Sequence, residues 1–145
     1  MAHWRLFYHF VWSTKNREPL LTAELRDRIF PYLVGKARHL GTQMLALNGL
    51  EDHIHIVAAV PPRIAPADFV KRLKGASSRF ISKELGLPFS WQEGYVVYSI
   101  SEPDVQRVIE YVRAQKEHHR RRTCVPAWES TSGGNGELGA ERREH

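Results

Sequence analysis

Residues 53–60 (HIHIVAAV) constrain the fold more than any other stretch of the chain. In an extended strand successive side chains point to opposite faces, so Ile54, Ile56, Ala58 and Val60 share one side and His53 and His55 the other. A strand this apolar has to be covered, which calls for a sheet with helices packed on the isoleucine side. The two imidazoles project together from the opposite side. Neutral imidazole is the commonest transition-metal ligand and also serves borderline ions such as Mn²⁺, so the pair is a candidate metal site that needs a third ligand from elsewhere. A half-exposed strand whose solvent face carries two histidines with no shared task gives the same pattern.

The remaining chain supplies such a sheet and its helices. Trp4 to Trp12 (WRLFYHFVW) is aromatic and β-branched and ends at the polar run Ser13 to Arg17, the composition of a first strand. His9 within it is expected to pack or hydrogen-bond rather than to ligate. Thr22 caps a helix to Leu40 in which Leu25, Ile29, Leu33, Ala37 and Leu40 recur at helical spacing; Gly41 stops it, and Pro31 predicts a kink or a break. Thr42 to Leu50 reads as a second strand, joined through Glu51-Asp52 in a hairpin to the histidine strand, which stops at Pro61-Pro62. Pro66 opens a second helix to about Leu85, terminated by Gly86, with Phe69, Leu73, Phe80 and Ile81 inward. Its polar side carries Lys71, Arg72, Lys74 and Arg79 beside Ser77 and Ser78, a set that suits a phosphate backbone as well as a solvated face. Tyr95 to Ile100 is a fourth strand, and Ser101 to Asp104 opens a last helix with Val105, Val108, Ile109 and Val112 as its core stripe. The order β-α-β-β-α-β-α is that of an α+β, ferredoxin-like antiparallel sheet (βαββαβ) with helices on one face and an extra C-terminal helix. His53 and His55 then look out from the open face of the sheet.

A formal charge of +5 and a pI near 9.6 point to a polyanionic partner, nucleic acid first. Lys15 and Arg17 at the end of the first strand, and the run Arg120, Arg121, Arg122, are further candidate phosphate contacts. The single Cys124 excludes an internal disulfide, the N-terminus lacks a signal-peptide run, and no apolar stretch approaches the ~20 residues of a membrane helix, so a cytoplasmic protein with no membrane partner is expected. Residues 1–126 are expected to form one domain and residues 127–145, rich in Gly, Ser and charge, a disordered tail.

The last helix places a tyrosine one turn from an amide. Tyr111 and Gln115 sit about 40° apart on a common flank of a helix, about 6 Å apart along its axis, and His118 extends that flank. Four stretches then occur in order: His9-Phe-Val-Trp-Ser-Thr-Lys15, Asp52-His-Ile-His55, Trp91-Gln-Glu-Gly-Tyr95 and Tyr111-Val-Arg-Ala-Gln-Lys-Glu-His-His119. Together they resemble the successive signatures of the HUH-type single-tyrosine transposases of small bacterial insertion sequences, to which the REP-associated tyrosine transposases are related. The resemblance covers most of Trp4 to Arg120. It implies that His53 and His55 are metal ligands, Gln115 the third ligand, Tyr111 the nucleophile, and Mg²⁺ or Mn²⁺ the ion. The implied activity is cleavage and rejoining of single-stranded DNA, at hairpins at the element ends, through a 5′-phosphotyrosine. It further implies a homodimer in which the tyrosine helix of one chain serves the histidines of the other, although the REP-associated relatives can work as monomers. Three positions depart from the family pattern: Val96 and Val97 stand where small residues commonly follow the motif tyrosine, and Ala114 replaces the usual Asn. His118 and His119 match the family's helix end without a role that the match assigns.

Two other readings use the same residues. A host-adopted REP-associated endonuclease would cleave palindromic repeat DNA without moving its own gene. A non-catalytic ferredoxin-like nucleic-acid-binding module would stack bases on aromatic residues of the open sheet face, where this chain presents His53 and His55 instead.

Overall fold

The computed structural model describes residues 4–115. Its elements are β1 (Phe7–Ser13), α1 (Ala23–His39), β2 (Gln43–Gly49), β3 (His53–Ala59), α2 (Pro66–Arg79), β4 (Val96–Ile100) and α3 (Val105–Arg113). The strands form one antiparallel sheet in the order β2-β3-β1-β4, the ferredoxin-like arrangement. β3 is central, and all seven of its residues are buried. The β2–β3 hairpin is tight enough to require glycine: a Cβ on Gly49 would lie 2.5 Å from the His53 carbonyl oxygen.

Thr22 caps α1 by accepting from the Leu25 N–H, and Gly41, at φ 73°, ends it. The break predicted at Pro31 does not occur, because α1 runs through it. Pro31 and Asp27 both lie on the exposed side, so the Asp27 carbonyl that loses its helical donor can take water instead. α2 starts with Pro66 in its first turn, passes into a π-helical turn at Phe80–Glu84, and stops at Gly86 with φ 65°.

The sheet is apolar on both faces. Phe10, Trp12, Ile54, Ile56, Ala58 and Val60 pack under Ile29 and Leu33 of α1 and Phe69 and Leu73 of α2. Val11, Val57, Val96 and Tyr98 pack under Val108, Ile109, Tyr111 and Val112 of α3. The open face expected for His53 and His55 is therefore covered. They do point away from α1 and α2, but the apolar stripe of α3 finds its cover on the same side, and the two rings are 1% and 0% exposed. Among the described residues no helix is long and apolar enough to cross a membrane.

Candidate active site

Alternation along β1 and β3 sets His9, Val11 and Ser13 on the same face as His53, His55 and Val57, with Ser13 paired to His53 and Val11 to His55. Each strand histidine is engaged at Nδ1. His53 Nδ1 lies 2.7 Å from Asp52 Oδ1, and His55 Nδ1 lies 2.8 Å from His9 Nε2. A carboxylate only accepts, so His53 donates through Nδ1 and its remaining lone pair is on Nε2. Arg17 Nε donates to the other Asp52 oxygen at 3.2 Å. Burial on its own would push the Asp52 carboxyl up; the His53 hydrogen bond and the Arg17 charge outweigh it and hold the group below its ordinary value.

Arg17 reaches this position through an unusual backbone. Asn16 and Arg17 have φ of 55° and 53°, in the left-handed region that costs a non-glycine residue about 1–2 kcal/mol. The strain is held by the Trp91 motif: Gln92 Oε1 accepts from the Asn16 N–H at 2.8 Å, Gln92 N donates to Ser13 O, and Lys15 N donates to Ser90 O. That motif is a buttress for the strand end.

α3 brings the tyrosine. Tyr111 is 6% exposed, and its ring meets that of His55 edge-on with centroids 6.3 Å apart, within a single chain. The expectation of one helix carrying Tyr111 and Gln115 on one flank is corrected: α3 ends at Arg113, and Ala114, at φ −96° and ψ 22°, departs from helical values. Asn48, paired with His55 across the hairpin, donates its amide to the carbonyls of Val112 and Arg113 and so ties off the helix end above the histidines. Gln115 follows directly and is fully buried. The Ser13 hydroxyl, beside His53 and 1% exposed, has no hydrogen-bond partner among the described residues.

The family model for IS200-like transposases matches residues 2–115. The chain belongs to that family. This transposase is 29% identical over 119 residues to the ISDra2 transposase TnpA of Deinococcus radiodurans, a match spanning 77% of this chain and 85% of the relative. It is 26% identical over 129 residues to the transposase of insertion sequence IS200 of Salmonella typhimurium, spanning 83% and 84% of the two chains. Its fold resembles that of the REP-associated tyrosine transposase bound to a REP hairpin, with a TM-score of 0.64 at 16% identity, over 82% of this chain and 74% of that one.

The candidate phosphate contacts divide. Lys15 and Arg17 are exposed at the rim of the histidine site. Lys71 and Arg72 are exposed, Ser78 is half-buried, and Lys71 and Arg72 line a cavity of about 550 Å³ with Lys36, Arg79 and Asp68, on the α1–α2 side of the sheet. Ser77 and Lys74 have other tasks. The Ser77 hydroxyl, fully buried, donates to Leu73 O at 2.7 Å and accepts from Trp91 Nε1 at 2.9 Å, which leaves no surface for a phosphate. Lys74 Nζ donates to Gln92 O and Gly94 O at 2.7 and 2.9 Å, and burial pushes its pKa below the ordinary lysine value, partly offset by Glu93. Arg120, Arg121, His118, His119 and the tail at 127–145 lie outside the described residues. Sequence reasoning missed Asn48 and the bond that ties His9 to His55. Only the place of each inside a recognised motif or hairpin could have marked it.

Proposed function

We propose that this transposase cleaves and rejoins single-stranded DNA with Tyr111 as nucleophile and a divalent ion, Mg²⁺ or Mn²⁺, held by His53, His55 and Gln115. The observation that carries the reading is the contact of the Tyr111 ring with one of two buried strand histidines that are both gripped at Nδ1. The donor set fits such an ion. Two neutral imidazoles and a hard amide oxygen are suitable ligands, and the Ser13 hydroxyl is a buried polar atom that a phosphate oxygen or a ligand water would satisfy. Among the described residues no three His, Cys, Asp or Glu side chains gather to hold an ion, and the third ligand in this reading is the amide oxygen of the fully buried Gln115. When bound, the ion would neutralise and orient the scissile phosphate.

In this reading the Tyr111 oxygen forms a bond to phosphorus and gives up its proton, while the 3′-oxygen leaves with the electrons of the broken P–O bond and takes up a proton. The resulting 5′-phosphotyrosine keeps the energy of the phosphodiester. A second 3′-hydroxyl then reverses the step on another strand, and ends are rejoined without ATP. Lys15, Arg17, Lys71, Arg72 and Ser78, with Arg120 and Arg121, are the proposed phosphate contacts. The proposed substrate is single-stranded hairpin DNA at the element ends, supported by the REP hairpin held by the structural relative. The proposed assembly in the cytoplasm is a homodimer that exchanges the tyrosine segment; the contact of Tyr111 with its own chain's His55 also suits a monomer, and sedimentation equilibrium separates the two.

Incubation with single-stranded hairpin DNA from the flanks of the gene tests the reading. Strand cleavage that requires Mg²⁺ or Mn²⁺ and stops with chelator is expected; binding without cleavage in the presence of either ion would leave the DNA-binding module in its place.

A further inference from the structure

His9 lies opposite Val57 and His55 opposite Val11, so the two imidazoles are diagonal neighbours on one face of the β1–β3 pair. Both are fully buried. Their ring centroids are 5.1 Å apart, with planes 28° from parallel. Ring nitrogens lie close to their ring centres, so that separation is compatible with a 2.8 Å N···N contact only if the bond and both centres fall near one line. This is an end-to-end hydrogen bond, and the Tyr98 ring, with its centroid 6.0 Å from that of His9 and fully buried, backs His9 from β4.

Between two neutral imidazoles one nitrogen must donate and the other accept. If His9 donated, the proton of His55 would sit on Nε2, where no lone pair would remain for a metal ion. If His9 accepts, the proton of His55 is on Nδ1 and its Nε2 carries the lone pair. We infer that His9 is a positioning residue whose Nε2 lone pair accepts the Nδ1 proton of His55 and holds that ring in the metal-competent tautomer. This rests on the metal site proposed above. The partner at His55 is an imidazole where that at His53 is a carboxylate, and the difference follows from burial. Asp52 is partly exposed and shares its charge with Arg17, whereas a carboxylate at the fully buried His9 position would bear the full desolvation cost of its charge. A neutral acceptor orients the ligand without that cost.

Histidine-ring ¹⁵N–¹H correlation spectra of the full-length, chelator-treated protein read the tautomer directly, without metal and without substitution. His55 is expected protonated at Nδ1 and His9 unprotonated at Nε2. Mn²⁺ titration followed by electron paramagnetic resonance reads the consequence: His9→Phe, which keeps a ring but offers no acceptor, should weaken Mn²⁺ binding about 10- to 100-fold, and His9→Gln, whose amide oxygen can accept, should recover most of that loss. A His55 protonated at Nε2 in the wild-type spectrum would overturn the inference even if His9→Phe failed to fold, as would equal loss in His9→Phe and His9→Gln or no loss in either. Absence of Mn²⁺ binding by the wild type would sink the metal reading instead, while the metal-free spectrum would still decide which ring donates.

Discussion

Removing either strand histidine takes away a proposed ligand and also opens a buried polar network. His53→Ala takes one of two partners from the partly exposed Asp52 carboxylate, which keeps Arg17, and His55→Ala removes the bond to His9 where both rings are fully buried. Both variants should therefore lose DNA cleavage and also lose about 1–3 kcal/mol of stability in urea unfolding. Cleavage at wild-type rates by both would remove the metal assignment; unchanged unfolding would mean the Nδ1 partners contribute nothing. Ser77 separates two tasks in the same way. Ser77→Ala should lower stability by about 1–2 kcal/mol, because the Trp91 N–H loses its acceptor, and should leave the affinity for single-stranded DNA unchanged. Weaker DNA binding with unchanged stability would restore the phosphate contact that its place beside Lys74 suggests in the sequence.

At the scale of elements, the loop after α2 and the end of α3 are tied down by single side chains. Lys74→Met should destabilise the fold by about 1–3 kcal/mol at neutral pH by freeing the Gln92 and Gly94 carbonyls. Its folded pKa lies below the unfolded value, so the unfolded chain binds more protons in between. Wild-type stability relative to Lys74→Met should rise as pH climbs through the folded pKa toward about 10.4, with the neutral amine still donating two N–H groups. A fall over that range would contradict the burial argument. Asn48→Ala should loosen the last turn of α3 and slow cleavage with little effect on DNA affinity, measured at saturating DNA. The elements themselves were legible in the sequence because periodicity, the Thr22 cap, Pro66 and the stops at Gly41 and Gly86 are local signals. Cover for the histidine face was not. The apolar residues that receive α3 are spread over all four strands, Val11, Ala46 and Val57 one to a strand and Val96, Tyr98 and Ile100 on β4, and only the assembled sheet brings them together. The end of α3 before Gln115 was hidden for a similar reason: the group that ties it off, Asn48, is 64 residues from Val112 in sequence.

Across the whole molecule, the histidine site and the cationic α1–α2 cavity lie on opposite sides of one sheet. DNA that uses both must pass around an edge of the sheet, so binding and cleavage should be separable. Neutralising Lys71 and Arg72 together should lower the dependence of single-stranded DNA affinity on salt by up to about 0.7 per lost phosphate contact while sparing cleavage at saturating DNA. An unchanged slope would remove α2 from the interface. The family was legible from four motifs in order, whereas the work of their individual members, such as Trp91 and Gln92 supporting the strained Asn16-Arg17 turn, is a property of the assembled fold. As the proposed nucleophile, Tyr111 becomes covalently joined to DNA during cleavage. Tyr111→Phe keeps the ring that packs on His55 and deletes only the hydroxyl, so stability and DNA affinity should change little. Denaturing electrophoresis followed by peptide mass spectrometry, after incubation with hairpin DNA and Mn²⁺, should find a nucleotide adduct on the peptide containing Tyr111 in the wild type and none in Tyr111→Phe; an adduct that persists in Tyr111→Phe, or wild-type cleavage that never yields one, would contradict the account.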